Sequence, residues 1–217
     1  MAIGIFGKLP DKRDFVQTGM PPELMGVMDP WLQAAVAQSR NDMGKEWLET
    51  YLASPIWRFW LGSRVAGRPV LGALMPSVDG VGRYFPLMCA GVYDAPIAPP
   101  DINSQDEWFE TLEGHMLGAL SDGATFDGLI AGVGAMDPPE NPLVLVPEGS
   151  LKALFAQLRS DNADMFYGDL SYWWIPPGPD GLKPRAVVHR GLPSPSEYGA
   201  MLSVDQGEAA RAAAGGE

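Results

Sequence analysis

Ile56-Trp57-Arg58-Phe59-Trp60-Leu61, Val70-Leu71-Gly72-Ala73-Leu74-Met75 and Tyr84-Phe85-Pro86-Leu87-Met88-Cys89-Ala90-Gly91-Val92-Tyr93 are three apolar runs in close succession. Each is short, rich in aromatic or aliphatic residues and bounded by Gly, Ser or Pro, the pattern of strands buried on both faces. Their short connections predict antiparallel neighbours, because a parallel crossover needs a dozen residues or more. Outward from this centre, Ala2–Phe6 reads as a further strand that Gly7 and Pro10 end. Ser171–Ile175 and Arg185–His189 read as a strand pair across a turn-rich Pro and Gly connection. Leu129–Val133 and Leu143–Val146 are two more candidate strands.

Helical patterns interleave with these runs. Asp29-Pro30 predicts a helix start, with Met28, Trp31, Leu32, Ala35 and Val36 on one face. A second helix follows Gly44, with Trp47, Leu48, Tyr51 and Leu52 inward, and stops at Ser54-Pro55. Ser104–Glu107 and Ser194–Glu197 are capping-box sequences. The first opens a stripe of Phe109, Leu112, Met116 and Leu120; the second opens a final helix through Tyr198, Met201 and Leu202. Leu151, Leu154, Phe155 and Leu158 mark another amphipathic helix. The rhythm is not a clean βαβ repeat. It predicts an α/β fold, a three-layer α-β-α sandwich with a mixed, largely antiparallel central sheet. One domain is expected over residues 1–206, with a fraying tail over 207–217.

The chain has 217 residues, 46% of them apolar, with seven Trp, eight Phe and six Tyr, enough for a sizeable core. Its net charge of −12 repels phosphate backbones and anionic lipid, so no nucleic-acid partner is expected. No apolar run approaches the roughly 20 residues of a membrane span, and the N-terminal residues lack a basic leader, so no membrane insertion is expected. A single cysteine excludes an internal disulfide, and a cytoplasmic location is expected.

Sites for chemistry are sparse. His115 and His189 are far apart in sequence and form no ligand pair, and a structural role is expected for both. Cys89 lies among Leu87, Met88 and Ala90, where burial raises a thiol's pKa. There is no Gly-x-Ser-x-Gly elbow, and the glycines near Lys8 and Gly128 miss the phosphate-loop and dinucleotide spacings. No catalytic residue, metal or cofactor is expected. Two unusual stretches remain, Tyr51–Phe59 and Met75–Leu87, which set Arg58 and Arg83 among large apolar residues. A buried guanidinium needs a partner, and Asp79 and Asp14 are the candidates. Lys8, Asp14, Arg58, Ser77, Asp79 and Arg83 therefore form a candidate polar network or partner site. A structural network is the plainer reading; a cofactor-independent enzyme built around Ser77, Asp79 and Arg83 is the alternative. Trp57, Trp60, Trp173 and Trp174 are candidate interface aromatics, against the plainer reading that each fills the core.

Together these pieces resemble a known family. Gly4–Pro10 with Asp14-Phe15-Val16, Asp29–Leu32, Trp47 with Tyr51, and Ser54–Phe59 come in the order found in the TagF proteins, accessory regulators of bacterial type VI secretion. Pro76–Asp79 with Val81-Gly82-Arg83 and Phe85-Pro86-Leu87 is the strongest piece; Ser171–Trp174 and Gly191–Pro193 extend it. Arg13 departs from the family, which has Gly before the Asp-Phe-Val piece. The resemblance implies a three-layer α-β-α fold and a cytoplasmic, non-enzymatic post-translational repressor. It also implies a forkhead-associated scaffold of the secretion apparatus as protein partner. Some members carry a fused phosphatase; none is expected here.

Overall fold

The computed structural model describes residues 3–94, 99, 106–137, 139, 158, 162–177 and 183–203. Seven strands form one sheet: β1 (Ile3–Gly7), β2 (Val16–Thr18), β3 (Trp57–Leu61), β4 (Val70–Met75), β5 (Leu87–Val92), β6 (Leu170–Ile175) and β7 (Arg185–Arg190). Their spatial order is β2-β1-β5-β4-β3-β6-β7. All six pairings are antiparallel, with Trp57 opposite Leu74, Ala73 opposite Cys89, Ile5 opposite Cys89 and Phe59 opposite Trp173.

The described helices are α1 (Pro22–Met43), α2 (Trp47–Leu52), α3 (Ser63–Ala66), α4 (Asp106–Gly118), α5 (Phe126–Gly134), α6 (Ala163–Tyr167) and α7 (Pro195–Leu202). Side chains alternate across a strand, so each central strand feeds two cores. Trp57, Phe59, Leu61, Met88, Ala90 and Trp173 pack with α1, α2 and α7. From the opposite face, Ile5, Ala73, Met75, Leu87 and Cys89 pack with Leu112 and Met116 of α4 and Leu129 and Val133 of α5. Trp60, Leu71 and Trp174 meet Phe109 of α4 on that same side. Burial on both faces explains why β1, β3 and β4 are apolar almost without interruption.

Several boundaries differ from expectation. α1 begins at Pro22, eight residues before Pro30, which lies inside the helix. Burial of Leu24 and Met28 in the earlier turns outweighs the hydrogen bond that Pro30 cannot donate. Asp29 is then not an N-cap; its carboxylate accepts from Gln33 Nε2 one turn on. Leu129–Val133 is not a strand but part of α5, where Thr125 Oγ1 accepts the Gly128 N–H as a cap. Leu129 and Val133, four residues apart, both face the core, and a short apolar run cannot be assigned by periodicity alone. The three-residue strand β2 carries too little pattern to be read. The capping box at Ser194 forms, with Glu197 answering it. The expected strand Leu143–Val146, the capping serine Ser104 and the tail over 207–217 lie outside the described residues.

Candidate functional site

At one end of the sheet, the segment leaving β1 and the β4–β5 connection meet. β1 ends at Gly7, whose φ of 141° is open to glycine; a Cβ there would stand 2.1 Å from the Pro86 carbonyl oxygen. This close approach delivers Lys8 into the interior. The connection from β4 folds back as a small hairpin, bridged between Val78 and Tyr84, with Asp79 N–H donating to the Arg83 carbonyl and Phe85 N–H to that of Ser77.

Asp79 is the centre. Its Oδ2 accepts from Lys8 Nζ at 2.6 Å and from Arg83 Nε at 2.7 Å. Its Oδ1 accepts the backbone N–H groups of Arg83 at 2.9 Å and Val81 at 3.1 Å. Both Lys8 and Asp79 are buried. Burial alone would raise the Asp79 pKa; hydrogen bonds from Lys8, from the Arg83 backbone and guanidinium, and from Val81 outweigh it and hold the carboxyl well below the usual range. Ser77 Oγ donates to the Lys8 carbonyl at 2.6 Å, while the Tyr51 hydroxyl accepts the Ser77 N–H and donates to its carbonyl. Burial pushes the Tyr51 hydroxyl pKa far up, against a smaller lowering by Ser77, so it stays a donor.

The same cluster braces two loops. Gly80 N–H donates to the Lys12 carbonyl at 2.7 Å, a contact so close that a Cβ on Gly80 would meet the Pro10 carbonyl at 2.7 Å. Arg83 Nη2 reaches the Arg13 carbonyl. Phe15 stacks on Phe6, meets Phe85 edge-on, and lies 4.6 Å under the Lys8 ammonium.

The structure separates the six candidate polar residues. Lys8, Ser77, Asp79 and Arg83 come together. Arg58 does not join them: it points to the other face of the sheet, where Nε donates to Glu113 Oε1 at 2.6 Å, Nη1 to Asp106 Oδ1 at 2.7 Å, and the guanidinium lies over the Phe109 ring. Asp14 pairs with neither arginine; its Oδ1 accepts the Phe15 N–H. Trp57, Trp60, Trp173 and Trp174 are all at most 5% exposed and fill the core, so none presents a ring to a partner. Trp57 Nε1 donates to the Met201 carbonyl and Trp173 Nε1 to Ser171 Oγ. Cys89 is buried, which pushes its thiol pKa far up. His115 lies against the Gly132 backbone of α5, and His189 Nδ1 is 3.6 Å from Glu197. Among the described residues, no group of three or more His, Cys, Asp or Glu is arranged to hold a metal. Nor is any described helix long and apolar enough to cross a membrane.

Residues 4–136 match the model of the TagF N-terminal domain, described as type VI secretion system-associated. The chain belongs to that TagF family. The segment from Gly4 in β1 to Pro10, the Asp79 hairpin, α4 and α5 fall inside the match. The crystal structure of PA0076 from Pseudomonas aeruginosa PAO1 aligns with a TM-score of 0.78 and 29% identity, over 94% of this chain and 95% of that one. That overlap extends the shared fold past the TagF match and into β6, β7 and α7. No curated protein sequence matches the chain.

Proposed function

We propose that this TagF-family chain is a non-enzymatic repressor of type VI secretion that acts after translation, in the cytoplasm, by binding a forkhead-associated scaffold protein of the apparatus. Family membership supplies the association with type VI secretion. The observation that carries the non-enzymatic reading is the saturation of the Asp79 carboxylate, which accepts four hydrogen bonds: from Lys8 Nζ, from Arg83 Nε and from the backbone N–H groups of Val81 and Arg83. An acid held this far below its usual pKa is a poor general base near neutrality. Ser77 is buried and gives its hydroxyl proton to a backbone carbonyl, which leaves it without an adjacent base to activate it. Groups so engaged hold shape, and shape acts by complementarity to another surface. Domain limits of 1–206 accompany this reading, with β6, β7 and α7 completing the unit that β1–β5 begin.

Isothermal titration of the purified chain with the folded forkhead-associated scaffold of the same secretion system tests the reading. Saturable binding is the expected outcome. Heat no greater than dilution, with both proteins folded by circular dichroism, would defeat it.

A further inference from the structure

The Asp79 cluster poses a question that a purely internal network leaves open, because replacing buried ion pairs with apolar residues is often neutral for stability. What it does hold is visible on its outer side. Segment 8–13 and hairpin 77–83 are tied together by four bonds: Lys8 to Asp79, Ser77 to the Lys8 carbonyl, Gly80 to the Lys12 carbonyl and Arg83 to the Arg13 carbonyl. Each braced segment ends in an apolar side chain that is not covered: Phe15, just past segment 8–13, at 44% exposure, and Val81, at the hairpin tip, at 55%. Phe15 is not a loose loop residue. Phe6, Phe85 and Lys8 fix its ring from behind, while its outer side faces solvent.

The charge around this pair runs against the rest of the molecule. The chain carries −12, yet at this rim the exposed cations Arg13 and Arg83 stand forward. Lys12 pairs with Asp11, and the Asp14 carboxylate accepts the Phe15 N–H but stays exposed, so segments 8–15 and 77–83 set Lys8, Lys12, Arg13 and Arg83 against Asp11, Asp14 and Asp79, a small cationic excess on a strongly anionic chain. A fixed aromatic beside arginines, already held in one geometry, is the make-up of a binding hot spot, because little ordering entropy remains to be lost on association.

We propose that the Phe15–Val81 rim, with Arg13 and Arg83, is the surface by which the chain docks its protein partner, and that it receives an apolar side chain flanked by carboxylates. The inference rests on the repressor reading above and adds to it the surface and the chemistry of the contact. A phosphate backbone or anionic lipid is disfavoured by the charge of the whole chain, whereas a protein patch meets the rim alone.

The experiment titrates the same forkhead-associated scaffold against the wild-type chain and the variants Val81→Asp, Arg13→Glu and Arg185→Glu, each checked for an unchanged unfolding temperature. Val81 is exposed at the hairpin tip and Arg13 lies in the exposed loop, so neither change opens the core; Arg185 is an exposed arginine on β7, at the far edge of the sheet. Val81→Asp and Arg13→Glu are expected to weaken binding by about tenfold or more, and Arg185→Glu by less than about twofold. Raising the salt concentration is expected to weaken the wild type more than Arg13→Glu. If the wild type binds and both rim variants bind within about twofold of it, the rim is not the surface and the repressor reading stands. If the wild type does not bind, that reading falls and the rim proposal with it. Self-association of the chain alone, abolished by Val81→Asp, would make the rim a self-interface and overturn the proposal.

Discussion

Asp79, in the β4–β5 connection, and Arg58, on β3, are both charges with almost no exposed side chain, and each is satisfied, but they are built inside out relative to each other. Around Asp79 the anion is innermost; Lys8 is nearly as deep, and Arg83 reaches solvent. Around Arg58 the cation is innermost, and its carboxylates lie outward on α4, Glu113 at 16% and Asp106 at 44% side-chain exposure. The first cluster joins loop to loop and sets the shape of a rim. The second joins a helix to the sheet, with Asp106, Phe109 and Glu113 on one helical face gripping a single guanidinium. The difference teaches where a deletion hurts. Losing a buried centre is costly in proportion to how poorly its former partners can be rehydrated.

Asp79→Asn is the severest test of that contrast. It leaves the Lys8 ammonium buried without a counter-charge, a loss of about 3–5 kcal/mol in unfolding free energy. Adding Lys8→Met is expected to restore part of the loss, so a denaturant-melt double-mutant cycle should give a coupling energy between the two sites of about 1 kcal/mol or more. Equal losses in single and double variants would break the comparison. The same centre has a pH signature. Its folded pKa is depressed, so its contribution is complete above the ordinary aspartate value near 4 and is lost as pH falls below it toward the folded value. Acid melts of the wild type should therefore steepen below about pH 4, and the steepening should shrink in Asp79→Asn.

Arg58→Met should cost less, about 2 kcal/mol, although the side chain is as buried as Asp79. Methionine refills most of the volume against Phe109, and Glu113 and Asp106 lie close enough to solvent to be rehydrated. Unfolding titrations in which Arg58→Met is the more damaging of the two variants would reverse the ranking.

The contrast also explains what could be read without coordinates. β1, β3, β4 and β5 were legible because burial on both faces writes an apolar run that no surface element carries. The pairing of Arg83 with Asp79 was legible because they are four residues apart on one turn. Arg58 was recognised as needing a partner, but Asp14 and Asp79 were the wrong ones. Its partners lie 48 and 55 residues downstream, in a helix that only packing brings across the sheet. A signal did exist: Asp106, Phe109 and Glu113 fall on one helical face, where carboxylates beside a buried aromatic call for a cation. Lys8 was among the candidate polar residues, yet its bond to Asp79, 71 residues away, depends on Gly7 letting the chain pass close to Pro86. Leu129–Val133 failed for a local reason, since its cap at Thr125 was not recognised and five apolar-rich residues fit strand or helix. For the tryptophans the plainer reading, core filling, is the one the burial supports. Tryptophan is frequent both in cores and in interfaces, and all four singled out are core, while Phe15 and Phe166 are the phenylalanines left exposed among the described residues.

Asp106→Asn brings the comparison to its smallest term. Asp106 bonds a buried arginine, so by distance alone, 2.7 Å, it ranks with the bonds inside the Asp79 cluster. By environment it does not. Its carboxylate is 44% exposed, water can replace the guanidinium it loses, and Glu113 still holds Arg58 through both oxygens. Asparagine keeps an acceptor oxygen of the same reach. The loss is therefore expected to stay below about 1 kcal/mol in denaturant unfolding and to shrink further in high salt. A loss approaching that of Asp79→Asn would mean that burial of the partner, and not exposure of the carboxylate itself, sets the strength of an ion pair in this molecule, and the inside-out distinction would lose its physical basis.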